Sequence, residues 1–180
     1  MLRLGLIGSL CVVALGGCQE LGPAAHCFEA YEDDEFGNPY IRNTCEYETP
    51  CDDVTLLCPG NDESVDCGPD TAIVEDPDAL QCMLDGLARG EDGVYFVSRT
   101  AEAEPGWAVR SQSLWTRGKK GYFVSGHIVD LGRTSGGVRY VELRPRRHFA
   151  ACRDAATAPE QLRCVLDPWR EVLGVVIEPR

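Results

Sequence analysis

The stretch Asp76-Pro77-Asp78-Ala79-Leu80-Gln81-Cys82-Met83-Leu84-Asp85-Gly86-Leu87-Ala88-Arg89-Gly90 decides the fold class. Asp76 suits an N-cap, where a side-chain oxygen accepts from backbone N–H groups that a helix start leaves unpaired. Pro77 suits the first helical position, and Asp78 complements the positive end of the helix dipole. Leu80, Met83, Leu84 and Leu87 fall at i, i+3, i+4 and i+7, which makes one apolar stripe. Gly90 suits the stop, because glycine takes a left-handed backbone there without a Cβ clash. Cys82 lies off the stripe, placed to tie the helix to the acidic chain before it, with Cys67 as the candidate partner.

After Gly90 the period changes from helical to two. Runs at 93–101, 106–116, 121–131 and 137–145 are rich in Val, Tyr, Phe and Trp and read as strands. Trp107, Val109 and Trp115 share one parity, with Arg110 and Gln112 on the other. Glu104-Pro105-Gly106, Arg117-Gly118-Lys119-Lys120-Gly121 and Arg133-Thr134-Ser135-Gly136-Gly137 punctuate the runs as turns. Connections this short place consecutive strands antiparallel. The expected fold is therefore α+β: one helix packed on a four-stranded antiparallel meander, with short C-terminal helices and an N-terminal disulfide-rich loop segment. The tail predicts helices over His148–Ala155 and Pro159–Leu166, stapled by Cys152 and Cys164. Val172–Ile177 reads as a final strand or an apolar coil.

Upstream, residues 27–75 hold five cysteines with Pro39, Pro50, Pro59 and Pro69, and no helical or strand period persists there. Such a segment depends on disulfides to hold a fold. The charge is also divided. Residues 18–92 carry twenty Asp/Glu against two Lys/Arg, a net of −18, and residues 93–180 carry nine against fourteen, a net of +5. With Arg3 these sum to −12. The acidic half serves solubility, or attracts the basic half. A chain this acidic overall is a poor partner for nucleic acid.

The start of the chain is an address. Met1-Leu2-Arg3 is a short positive region, and Leu4 to Gly17 is apolar or small, like a secretory signal and too short to span a bilayer. The run ends Leu15-Gly16-Gly17-Cys18, which resembles the bacterial lipobox. That resemblance implies cleavage before Cys18 and acyl chains on it. Two or three chains anchor stably where one binds marginally. Gln19, where an aspartate would resemble an inner-membrane retention signal, leans toward the outer membrane. The expected organisation is a lipoprotein signal peptide at 1–17, a lipidated tether at 18–26, an acidic disulfide-rich segment at 27–75 and an α+β domain at 76–180. The eight residues 19–26 reach only about 26 Å when extended. They are expected to hold the acidic half near the bilayer, with the basic sheet half facing outward.

Export also explains the cysteines. Without Cys11 and Cys18, the mature chain has Cys27, Cys45, Cys51, Cys58, Cys67, Cys82, Cys152 and Cys164. An even set in an exported chain reads as four disulfides, of a connectivity that spacing does not resolve. No C-x-x-C occurs, which argues against zinc, thioredoxin-like and c-type haem sites. No metal or cofactor is expected.

Few residues suggest chemistry. Ser125, His127 and Asp130 invite a triad, but strand parity places Asp130 on the face opposite Ser125 and His127. Asp130 and Glu142 on adjacent strands could be imagined as a carboxylate pair. Asn61-Asp62-Glu63 with Asp66 and Asp70 offers oxygen ligands but fails the EF-hand pattern, since Cys67 stands where glycine is needed. The best positive feature is Arg144-Pro145-Arg146-Arg147-His148-Phe149, with Lys119 and Lys120 on a hairpin tip. It is a candidate anion-binding patch for a carboxylate, phosphate or acidic glycan. The helix Leu80-Gln81-Cys82-Met83-Leu84-Asp85-Gly86-Leu87, the meander and the late cysteine pair together resemble, in outline, a group of myxobacterial-type lipoproteins. That resemblance spans about residues 76–165 and implies no activity. The expectation is a non-catalytic envelope lipoprotein that binds a protein, glycan or small anionic ligand. The alternatives are an inhibitor-like or signalling domain presenting Trp107 or Trp115, and a hydrolase built on Ser125, His127 and Asp130.

Overall fold

The computed structural model describes residues 22–32, 39–59, 67–101, 108–129 and 132–178. The expected signal segment and the lipobox-like Leu15-Gly16-Gly17-Cys18 lie outside these residues. The helix read from the sequence is α1, Pro77–Arg89. Asp76 Oδ1 accepts from the N–H groups of Asp78 (2.9 Å) and Ala79 (3.3 Å), as its N-cap position requires. Gly90 closes the helix at φ 70°. Its buried side chains include Leu80, Met83, Leu84 and Leu87. Burying each such side chain stabilises by roughly 1.5–3 kcal/mol.

The fold is α+β, and its sheet is larger than a meander. After a 3-10 turn at Ala25–Cys27, the strands are β1 (Phe28–Glu32), β2 (Pro39–Asn43), β3 (Val54–Cys58), β4 (Ile73–Val74), β5 (Gly93–Ala101), β6 (Ala108–Arg117), β7 (Lys120–Val129), β8 (Gly132–Leu143) and β9 (Trp169–Ile177). Helices α2 (Arg146–Arg153) and α3 (Ala158–Leu166) precede β9. The main sheet is seven-stranded, in the order β4-β3-β5-β6-β7-β8-β9, and β1 pairs with β2 in a separate hairpin. β5 to β8 are the expected antiparallel run. The correction lies at its flanks. β3 pairs parallel with β5, so that the sheet is mixed, and β9 adds an antiparallel edge beside β8. A parallel pair needs a crossover, and α1 lies on that connection between β3 and β5. The acidic segment thus contributes strands, although no strand period was legible in it.

Alternation across the strands divides the core in two. Leu56, Tyr95, Leu114, Phe123 and Val141 turn to one face and pack with α1, α2 and α3. Val94, Trp115, Tyr122, Val138 and Tyr140 turn to the other, where Ala24, Cys27 and Phe28 cover them. Gly86 lets α1 approach the sheet closely, since a Cβ there would overlap the Tyr95 phenol. The Tyr95 hydroxyl reaches the Glu91 carbonyl at 3.4 Å.

The eight cysteines from Cys27 onward form four disulfides: Cys27–Cys45, Cys51–Cys82, Cys58–Cys67 and Cys152–Cys164. Cys82 does tie α1 to the acidic segment, but its partner is Cys51; Cys67 pairs with Cys58. The Cys152–Cys164 bond staples α2 to α3 as expected.

Candidate functional site

One cleft collects most of the predicted cations. It has a volume of about 440 Å³ and lies at the end of the sheet where β6 turns into β7. Four short pieces of chain build it. Gly118 and Lys119 form the β6–β7 turn, with Gly118 at φ 65° and its N–H donating to Asp92 Oδ1 at 2.6 Å. The Lys119 carbonyl accepts from Leu143 N–H at 2.9 Å, which draws the turn against the end of β8. The chain then leaves β8 through Arg144 and Pro145 and enters α2 at Arg146. The C-terminal end of α1 closes the opposite side with Leu87, Gly90 and Glu91.

The lining includes five cations, Lys119, Arg144, Arg146, Arg147 and Arg170, against two carboxylates, Glu91 and Glu142, a balance of +3. Both carboxylates are engaged. Glu91 pairs with Arg89 at 2.8 Å and Glu142 with Arg170 at 3.2 Å. Arg144 is held by Asp167, through its side chain and through the carbonyl at 3.0 Å. Arg146 Nη2 reaches the Gly90 carbonyl at 3.5 Å. Gly90 is required there for its left-handed φ, and the Arg146 guanidinium lies where a Cβ would stand. Among the described residues, Lys119, Arg146 and Arg147 have no carboxylate partner. Helix α2 adds to this field. Pro145 is its N-cap and supplies no side-chain acceptor, so the helix start at Arg146 and Arg147, both lining the cleft, has no side-chain cap and adds the positive end of the helix dipole.

Four of the six residues assigned to the anion patch therefore line one cleft: Lys119, Arg144, Arg146 and Arg147. Two do not. Lys120 has the opposite strand parity, and its ammonium lies 5.3 Å from the Tyr140 ring centroid on the other face of the sheet. His148 points along α2, with its Nε2 3.8 Å from Cys152 Sγ and its ring against Phe149. Burial, and then Arg144, hold its pKa below the usual histidine value. Arg170 was not foreseen. No motif marks it, and only the β8–β9 pairing brings it beside Glu142.

A second concavity of about 270 Å³ lies across the same turn, on the face away from the helices. Pro23, Ala24, Tyr47, Trp115, Tyr122 and Tyr140 line it, with Arg117 and Lys120 at its edge. Trp115 is 8% exposed, so it is no protruding anchor; Trp107 lies outside the described residues. The Ala24 N–H donates to the Tyr122 hydroxyl at 2.8 Å, and Gly22, at φ 79°, sits against the rings of Tyr122 and Tyr140.

The other candidates fall only in part within the described residues. Ser125 lies at an irregularity in the β7–β8 pairing between Val124 and Gly126. The side chain of His127 and the whole of Asp130 fall outside the described residues, as do Asn61, Asp62, Glu63 and Asp66. Asp70 pairs with Arg163. Two histidines stand beside disulfides, in the groups His26, Cys27, Cys45 and His148, Cys152, Cys164. Both sulfurs of each group are consumed in a disulfide, so neither group offers a thiolate to a metal. No helix among the described residues is long and apolar enough to cross a membrane. Comparisons of this chain with protein-family models, with curated proteins and with solved structures give no match.

Proposed function

We propose that this protein is a lipid-anchored binding protein of the bacterial cell envelope that holds an anionic group in the cleft between the β6–β7 turn and the start of α2. The observation that carries the binding role is the gathering of Lys119, Arg146 and Arg147, without carboxylate partners among the described residues, in one cleft at a helix start that has no side-chain cap. Guanidinium forks and backbone N–H groups suit a phosphate or carboxylate with several acceptor oxygens. A lining with a cationic excess, and with no nucleophile set beside a base among its described residues, favours binding over turnover. The anchor rests on Leu15-Gly16-Gly17-Cys18 and on four disulfides, which suit an oxidising envelope compartment. An outer-membrane location follows from Gln19 after the lipidated cysteine.

Titration of the mature chain carrying Cys18→Ser with inorganic pyrophosphate tests the cleft. The amide resonances of Lys119, Arg146 and Arg147 are expected to move together, and the response is expected to vanish in Lys119→Gln/Arg147→Gln. Shifts confined to other residues would refute the assignment. Metabolic labelling with a radioactive fatty acid, lost on Cys18→Ser, tests the anchor separately.

A further inference from the structure

We infer that the end of the sheet carrying the β6–β7 turn docks on an anionic phospholipid bilayer, in place of the acidic half. This rests on the proposed acylation of Cys18 and specifies what the cationic end of the molecule meets.

Two independent observations point there. The first is where the chain comes in. Residues 22–24, counted as free tether from sequence, are docked. Gly22 lies against Tyr122 and Tyr140, and Ala24 is 4% exposed and hydrogen-bonded to Tyr122. Tyr122 stands two residues from Lys120, the first residue of β7. Only the steps from Cys18 to Gly22 remain, and even fully extended they reach about 14 Å. An acylated Cys18 therefore holds this end of the sheet against the headgroups, whatever path residues 19–21 take.

The second observation is charge. This end presents Arg117, Lys119 and Lys120 from the turn, and Arg144, Arg146 and Arg147 after β8. Four of its carboxylates are engaged internally, while exposed Glu171, opposite Glu142 in the β8–β9 pairing, also lies at this end. Glu91, Glu142 and Asp167 sit in ion pairs, and Asp92 accepts from Gly118 N–H. The chain before β5 is strongly acidic, with a net of −18 over residues 18–92, Glu91 and Asp92 included. A molecule so polarised turns its cationic end to an anionic surface and its acidic remainder away. The tether and the field thus select the same end. The cations then meet phosphodiester groups of the bilayer, with the cleft as the place where a headgroup enters.

The test uses the mature chain with Cys18→Ser, so that no acyl chain contributes to binding. Its partitioning is measured on vesicles of phosphatidylcholine alone and of phosphatidylcholine with phosphatidylglycerol. Each cation near an anionic surface is expected to contribute about fivefold. The variant Lys119→Gln/Arg146→Gln/Arg147→Gln should therefore bind the anionic vesicles about 100-fold more weakly, with its circular dichroism unchanged. If that variant does not fold, wild-type partitioning should still collapse between about 0.05 M and 0.5 M salt, where screening shortens to a few ångströms. Vesicle-induced amide protection should fall on residues 116–121 and 144–148. Binding that is equal on both vesicle types, or protection on the acidic segment, would overturn the inference. Pyrophosphate bound in the cleft without any vesicle binding would overturn it too, while leaving the anion-binding reading intact. Vesicle binding with no fatty acid on Cys18 in cells would support the surface and remove the anchor.

Discussion

Replacing Tyr122 by Phe isolates the bond that fixes the entry of the chain. Tyr122 is 4% exposed, and its ring packs against Phe28 and Tyr140 at centroid distances of 5.0 Å each. Phenylalanine keeps those contacts and removes only the hydroxyl. That hydroxyl is the acceptor for the Ala24 N–H at 2.8 Å, and Ala24 is itself 4% exposed. An N–H stranded in such a place costs about 1–3 kcal/mol. The Cys27–Cys45 disulfide limits the damage, because from Cys27 onward the chain is held covalently. The cheapest relief is therefore detachment of residues 22–26, which rehydrates the Ala24 amide while β1 stays in place. Hydrogen exchange is the suitable assay. At equilibrium 1–3 kcal/mol corresponds to roughly a 5- to 150-fold faster exchange at Ala24. Exchange in β5–β8 should be unchanged. An unaltered rate at Ala24 would refute the claim that this bond docks the segment. Uniformly faster exchange throughout the sheet would refute the claim that the segment detaches on its own.

Three further outcomes are expected. The Cys51–Cys82 bond closes a separation of 31 residues, so Cys51→Ala/Cys82→Ala should lose about 3–4 kcal/mol in the chain-entropy model, read from urea midpoints at fixed m-value. Burial pushes the Tyr95 hydroxyl up to about 12. Unfolded tyrosine releases its proton near pH 10, so between about pH 10 and 12 the unfolded state binds fewer protons and stability falls as pH rises, by at most about 2.7 kcal/mol. Tyr95→Phe should flatten that limb, and an unchanged slope would show that the phenol is not the titrating group. His148 has a lowered pKa, caused first by burial and then by Arg144. Its contribution is therefore complete above its unfolded value near 6.5 and is lost as pH falls through the folded one. His148→Gln should reduce the loss of thermal stability on mild acidification, measured by calorimetry.

Which parts were legible follows from how local each signal is. Asp76, Pro77 and Gly90 announce α1 because caps and stops act within one turn of chain. The β5 to β8 run was legible because turn residues and alternation are also local. β3 was not, although Val54-Thr55-Leu56-Leu57-Cys58 has suitable residues. It lies inside the sheet, next to the two-residue edge strand β4, because β5 pairs with it in parallel across the intervening helix, and that partnership leaves no mark on the five residues. Its surroundings, Asp52 and Asp53 before it and Pro59 after it, resemble a loop. For the site, the cluster after β8 stood out as a run of like charges. Whether Lys119 or Lys120 joined it depended on strand parity, which places Lys119 in the cleft and Lys120 over Tyr140.

The sequence alone determined that the chain mixes one capped amphipathic helix with a run of antiparallel strands, that an even set of eight cysteines follows Cys18, and that its charge divides in two. Each of these is written in neighbouring residues or in plain counts. Only the tertiary structure decided that the acidic segment joins the sheet, that Cys82 pairs with Cys51, and that Arg170 enters the cleft. It also decided that residues 22–24 are docked at the cationic end. Those outcomes depend on which distant surfaces can be buried against each other. Burial rewards apolar area and satisfied hydrogen bonds without regard to separation along the chain.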